Sequence, residues 1–98
     1  MSSNAGTFDF GKVSALTIFD VAEYEEKLVS QLHLAQHFCI DLSGVEELDS
    51  AGLQWLMHLI WLVKHNQKTC ELKQPSALVQ ETSALLGVKL TGSGVVNE

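Results

Sequence analysis

Apolar positions change period several times along the chain, and each change marks an element. Phe8-Asp9-Phe10 alternates as a short strand, Gly11-Lys12 suits a turn, and Ala15 to Phe19 is rich in β-formers. The chain is therefore expected to open with a hairpin. From Val21 the period lengthens: Val21, Tyr24, Leu28 and Leu32 recur at helical spacing, and Glu23 and Lys27 form an i,i+4 pair on the outer side. Asp20 stands where an N-cap belongs, and Glu23 three residues later completes a capping-box pattern. This first helix should end between Leu32 and Gln36. Phe38 to Leu42 is a short apolar run broken only by Asp41, the mark of a central buried strand.

A second helix is predicted from about Ser50 to His65, closed by Asn66-Gln67. Thr69 to Lys73 then alternates, with Cys70 and Leu72 inward against Glu71 and Lys73 outward. Gln74-Pro75 ends that strand, and Ser76 can cap a third helix carrying Leu78, Val79, Thr82, Leu85 and Leu86, with Gly87 as its C′ residue. Val88-Lys89-Leu90 makes a last short strand. Residues 1–6 and 91–98 are expected to be loose tails of a single domain spanning 1–98. Strands separated by helices require crossovers onto a largely parallel sheet, which the opening hairpin makes a mixed one.

Composition narrows the function. The chain has 98 residues, 46% hydrophobic and 18% charged, enough for one core and too apolar for disorder. Six basic residues against twelve acidic ones give a net charge of −6, so a cationic nucleic-acid groove is excluded. The N-terminus has neither the basic residue nor the apolar core of an export signal. The most apolar stretch, Leu53 to Val63, contains Gln54 and His58 and falls short of the roughly 20 apolar residues that span a bilayer. Two Cys without paired spacing do not make a disulfide scaffold. No membrane insertion is expected, and a reducing cytoplasm is the expected compartment.

Catalytic signatures do not appear. Ser50, in Leu48-Asp49-Ser50-Ala51-Gly52, lacks the glycine two residues upstream that a hydrolase elbow carries, and neither glycine-rich nucleotide motif occurs. No catalytic residue and no cofactor is assigned. His33 and His37 lie four apart and can share a helix face, yet no carboxylate or Cys pair at matching spacing completes a zinc set, so no metal is expected. Cys39 and Cys70 are expected as small core residues, and His58 and His65 as packed or surface histidines.

The segment from Val45 to Leu53 is the informative one. With Asp49 as N-cap of the second helix, Leu48 and Leu53 occupy the N′ and N4 positions of a hydrophobic staple. With Ser50 as N-cap the pair becomes Asp49 and Gln54, which cannot staple. The first register leaves Ser50 at the first helical position with a hydroxyl not needed for capping. Ala51 and Gly52 add little bulk, so another protein's surface can approach closely. A phosphate on Ser50 would sit at the positive end of the helix, beside Glu46, Glu47 and Asp49, and would meet a docked partner as a dianion. On these grounds alone, an ordinary capped helix with a neutral serine is the simpler reading. Along the helix, Leu53, Leu56, Met57, Ile60 and Val63 form one stripe, and Trp55, Leu59 and Leu62 form another, flanked by His58 and Trp61. Either a neighbouring helix covers the second stripe, or Trp55 is an anchor for a partner.

The run from Phe38 to Leu53, FCIDLSGVEELDSAGL, resembles the signature segment of STAS domains, the anti-sigma factor antagonist (anti-anti-sigma factor) family. Leu16-Thr17-Ile18 before an acidic helix, and Gln74-Pro75-Ser76-Ala77 before a helix ending Leu85-Leu86-Gly87, fall where the family has comparable segments. The resemblance implies an α/β domain with a sheet of four or five strands and helices covering one side. It also implies a phosphorylatable serine at the position of Ser50, with Asp49, Ala51, Gly52 and Leu53 matching around it. The implied role is that of a non-enzymatic bacterial regulator. Its partner, an anti-sigma factor that is often also the serine kinase, binds the unphosphorylated form, and a serine phosphatase reverses the modification. Glu46, Glu47, Asp49, Ser50, Ala51, Gly52, Leu53 and Trp55 are the expected partner-binding residues. Two other branches of the family offer alternatives: a subunit of an ABC lipid transporter docked on its ATPase, and a chemotaxis-associated scaffold in which Ser50 is never modified.

Overall fold

Alternation at residues 7–12 and 37–41 does produce strands, but they do not pair with their neighbours in sequence. The computed structural model of the chain describes residues 6–85, 89–91 and 94–96. Its elements are β1 (Thr7–Lys12), β2 (Ala15–Leu16), α1 (Val21–Gln31), β3 (His37–Asp41), β4 (Glu47–Leu48), α2 (Ser50–His65), β5 (Thr69–Lys73), α3 (Ala77–Leu85), β6 (Lys89–Thr91) and β7 (Gly94–Val96). A three-stranded parallel sheet has the order β1-β3-β5, β2 and β4 form a parallel pair, and β6 and β7 an antiparallel one.

The expected opening hairpin does not form. Gly11, a turn residue by its sequence context, has φ +82 and sits where the β1–β3 register shifts between Asp9 and Lys12, its N–H donating to Asp9 Oδ1 at 2.8 Å. It is the left-handed residue of an irregularity within one extended segment. That segment continues past β1: Val13 N donates to Asp41 O at 3.0 Å and Glu46 N to Ser14 O at 2.9 Å, leading into the Ala15–Glu47 and Leu16–Leu48 pairs. Residues 7–16 thus form a rail along which first β3 and then β4 is laid in parallel. The described strands divide between this three-stranded sheet, its two-stranded continuation and the terminal pair, an arrangement compatible with the expected α/β fold.

Phe38, Ile40, Cys70 and Leu72 project from one face of the main sheet into a core with Leu28 of α1, Leu56, Leu59, Ile60 and Val63 of α2, and Val79 of α3. All three helices share this one core, as the STAS resemblance implies. The opposite face carries Asp9, His37, Glu71 and Lys73, with Cys39 buried among them.

α2 matches its predicted limits and is buried on two sides, with α1 covering the second stripe. Met57, assigned to the sheet-facing stripe, lies at its edge and is exposed. α1 starts where expected, but the capping box is not made. Asp20 gives no side-chain cap; its Oδ2 accepts from Thr17 N at 3.0 Å and Thr17 Oγ1 at 2.7 Å, closing a turn ahead of the helix. At the other end of α1 no basic residue occupies the last turn, and Lys68 fills that role, its Nζ donating to Leu32 O and, at 2.7 Å, to Ala35 O.

β6 lies within a residue of the predicted last strand, and β7 pairs with it inside the stretch expected to be a tail. Gly6, placed in the N-terminal tail, is tied to the sheet through its carbonyl, which accepts from His37 N at 2.9 Å. The proposed cap at Gly87, Leu86 and the tail residues 1–5 lie outside the described residues.

Candidate functional site

Asp49 holds the corner where β4 meets α2. Its backbone is extended (φ −124, ψ −178), and its Oδ1 accepts from Gly52 N at 2.9 Å, the N-cap bond that the Leu48–Leu53 staple favours over a Ser50 cap. The second oxygen, Oδ2, accepts from Ile18 N at 2.9 Å, and Asp49 N donates to Leu16 O at 3.2 Å. One carboxylate therefore caps α2 and also pins the 16–18 segment to it. The Ile18 N–H first and the Gly52 N–H second hold its carboxyl below the usual carboxylate range.

Ser50 occupies the first helical position and is exposed, with its hydroxyl left out of the cap. Glu46 and Glu47 beside it are exposed, and Ala51 is half-buried. The other expected contact residues are differently placed. Gly52 is buried: a Cβ there would lie 1.9 Å from Leu16 O, so its smallness serves the approach of the β2 backbone rather than that of a partner. Leu53 is buried in the core. Trp55 is only 6% exposed, its ring 5.7 Å from Phe10 and 5.6 Å from Tyr24 between centroids, so it packs the α1–α2 contact instead of projecting as an anchor. The exposed tryptophan of the helix is Trp61, stacked on His65 at 4.7 Å.

Beside Ser50, the first turns of α1 and α2 leave an open apolar groove lined by Ile18, Val21, Ala51, Gln54, the edge of Trp55, and His58. Of these Ile18 is 59% exposed, and Phe19 beside it is 92% exposed. Glu25 forms its polar end, accepting from Trp55 Nε1 at 3.1 Å and lying 3.2 Å from His58 Nε2. Ile18, Phe19, Glu25 and His58 were not expected at the site. The available signal was the apolar pair Ile18-Phe19 directly ahead of a helix start, which the β-former count absorbed into a strand. The structure ends β2 at Leu16 and turns the chain outward at Thr17.

His33 and His37 do not share a helix: α1 ends at Gln31, and His37 is the first residue of β3. Cys39 and Cys70 are free and buried, on opposite faces of the sheet, and burial pushes the Cys70 thiol up to about 12. Among the described residues, no helix is long and apolar enough to cross a membrane.

A parallel sheet with three helices on one face, and an Asp-capped helix start exposed at one corner, define a module that presents a surface. The family model described as Mlab, STAS domain matches residues 13–91, from just before β2 through β6. The chain belongs to the STAS domain family. STAS domains are generally non-enzymatic and act through contacts with other proteins. Comparison with curated proteins gives no match.

The depressed pKa of Asp49 has a measurable consequence. Unfolding returns the carboxyl to about 3.9, so the unfolded chain takes up this proton before the native one does. The cap's charge-dependent contribution is thus fully present above that value and is lost as pH falls through it and through the lower native pKa. Asp49→Asn keeps an acceptor oxygen without the charge. It is expected to flatten the acid limb of stability against pH in urea unfolding, leaving the share due to Asp41, which is lowered chiefly by its bond from Ser43 N. An acid limb as steep as in the wild type would contradict this.

Proposed function

We propose that the protein is a cytoplasmic, non-catalytic regulator that docks the Ser50 corner and the adjoining groove on a partner protein, and that phosphorylation of Ser50 breaks the complex. The observation that carries this is the division of labour at the helix start: Asp49 does the capping, so the exposed Ser50 hydroxyl can be modified without loss of the fold. A phosphate there adds roughly −1.5 to −2 charges at the edge of an apolar groove and beside Glu46 and Glu47, which a partner fitted to the neutral serine would have to desolvate. The STAS resemblance supplies the partner class: an anti-sigma factor that is also a serine kinase, opposed by a serine phosphatase.

The test is titration of the copurified partner against variants. Ser50→Ala is expected to bind as the wild type does and Ser50→Asp at least tenfold more weakly, with phosphate incorporated stoichiometrically into wild type and not into Ser50→Ala. Equal binding of Ser50→Asp and wild type rules out a charge switch.

Two observations favour a second reading, a permanent subunit docked on the ATPase of an ABC lipid transporter. Phe19, at 92% exposure, is an apolar side chain suited to a lasting contact, and the matching model is of the Mlab type. An ABC ATPase that copurifies with the chain and stays bound to Ser50→Asp selects this reading.

A further inference from the structure

We propose that the sheet face turned away from the helices carries a divalent transition-metal site of the zinc type, formed by the His37 imidazole, the Cys39 thiolate and the Glu71 carboxylate, with water as fourth ligand. Two features of the fold build it. Alternation along β3 sends Phe38 and Ile40 into the core and leaves His37 and Cys39, two residues apart, on the other face. The parallel register then sets Glu71 of β5 directly opposite Cys39. An imidazole nitrogen, the Cys39 sulfur and a Glu71 oxygen lie within 4.8 Å of one another, with His37 Nε2 at 3.8 Å from Glu71 Oε1.

Tetrahedral zinc bound at its usual distances to nitrogen, sulfur and oxygen holds its donors roughly 3.5 Å apart. Glu71 is exposed, so its carboxylate can swing toward the ion while His37 keeps its place on Thr69. The ring is already oriented: His37 Nδ1 is 2.6 Å from Thr69 Oγ1. The tautomer that donates Nδ1–H to this hydroxyl keeps the Nε2 lone pair for a metal, the outer-shell arrangement usual for metal-bound histidine. Asp9, on the other side of Cys39, is engaged elsewhere, accepting from Gly11 N at 2.8 Å and lying 3.8 Å from Lys73 Nζ. The donor set is mixed N, S and O with one open position, which selects zinc-like ions over magnesium or calcium. On binding, the Cys39 S–H proton passes to solvent, and the thiolate and carboxylate together neutralise the dication. The ion would join β3 to β5. Because the site lies on the opposite face of the sheet from the helices, it does not depend on the function proposed for Ser50.

Cobalt(II) titration of the reduced full chain tests the site. One equivalent is expected to bind with a sulfur-to-cobalt charge-transfer band, to be displaced by zinc, and to raise the thermal midpoint. Cys39→Ser should abolish the band, and Glu71→Gln, an exposed and conservative change, should weaken binding at least tenfold and remove the thermal shift. Cys70→Ala, altered on the core face, should keep the band. Absence of the band in wild type, its survival in Cys39→Ser, or an unchanged affinity in Glu71→Gln would overturn the proposal.

Discussion

Gly52→Ala is expected to lower the stability of the domain by about 3 kcal/mol, at the upper end of overpacking costs. For a chain of this length that lowers the thermal midpoint by at least ~10 °C. The added Cβ would stand 1.9 Å from the Leu16 carbonyl oxygen and 2.5 Å from its carbon. Both are backbone atoms, so no side-chain rotation relieves the overlap and α2 has to lift from β2. That movement stretches the Asp49 N to Leu16 O bond of 3.2 Å and the Ile18 N to Asp49 Oδ2 bond of 2.9 Å. Helix propensity argues the opposite sign, since alanine is favoured over glycine inside a helix by about 1 kcal/mol. Urea unfolding of the variant therefore decides between two physical terms, and a midpoint equal to or above wild type would refute the close-approach account.

Trp55→Ala is expected to cost about 3–5 kcal/mol, the range for truncating a large buried aromatic. The side chain fills the angle between Phe10 and Tyr24 and orients Glu25 through Nε1. A domain whose whole stability is about 5–15 kcal/mol is left marginal by that loss. Trp61→Ala, on the same helix but 59% exposed, is expected to change stability by no more than about 0.5 kcal/mol. Chemical denaturation of the pair measures the contrast. If Trp61→Ala is the more damaging, Trp55 does not hold α1 against α2.

What the sequence could show was decided by interactions local to it. The periods of β3, α2 and β5 are short-range patterns, and they emerged as predicted. The choice of Asp49 over Ser50 as cap rested on a staple between neighbours, and the Asp49 bond to Gly52 N agrees with it. Most of the failures share one cause, a partner distant in sequence; the Asp20 cap is the local exception. Whether Gly11 makes a turn or an irregularity depends on β3, thirty residues away, which holds the chain extended on both sides of it. Asp20 has the spacing of a cap, but Thr17 offers the same carboxylate two closer donors. The side of α2 that Trp55 occupies is settled by the position of α1, and the smallness of Gly52 by a backbone crossing from β2. The meeting of His37 and Cys39 with Glu71 is a matter of strand register, invisible to linear spacing.

The rail formed by residues 7–16 also sets the order of assembly. Each pairing in the main sheet and its continuation joins residues about thirty positions apart, as Thr7 with His37, Ala15 with Glu47 and Phe38 with Cys70. A nascent chain therefore carries β1, with Phe8 and Phe10 unpaired, until the whole of α1 and β3 has left the ribosome, and loop closure precedes each of these parallel contacts, though not the local β6–β7 pair. Refolding of this sheet should be slow, because each of these contacts waits on the closure of a loop of about thirty residues.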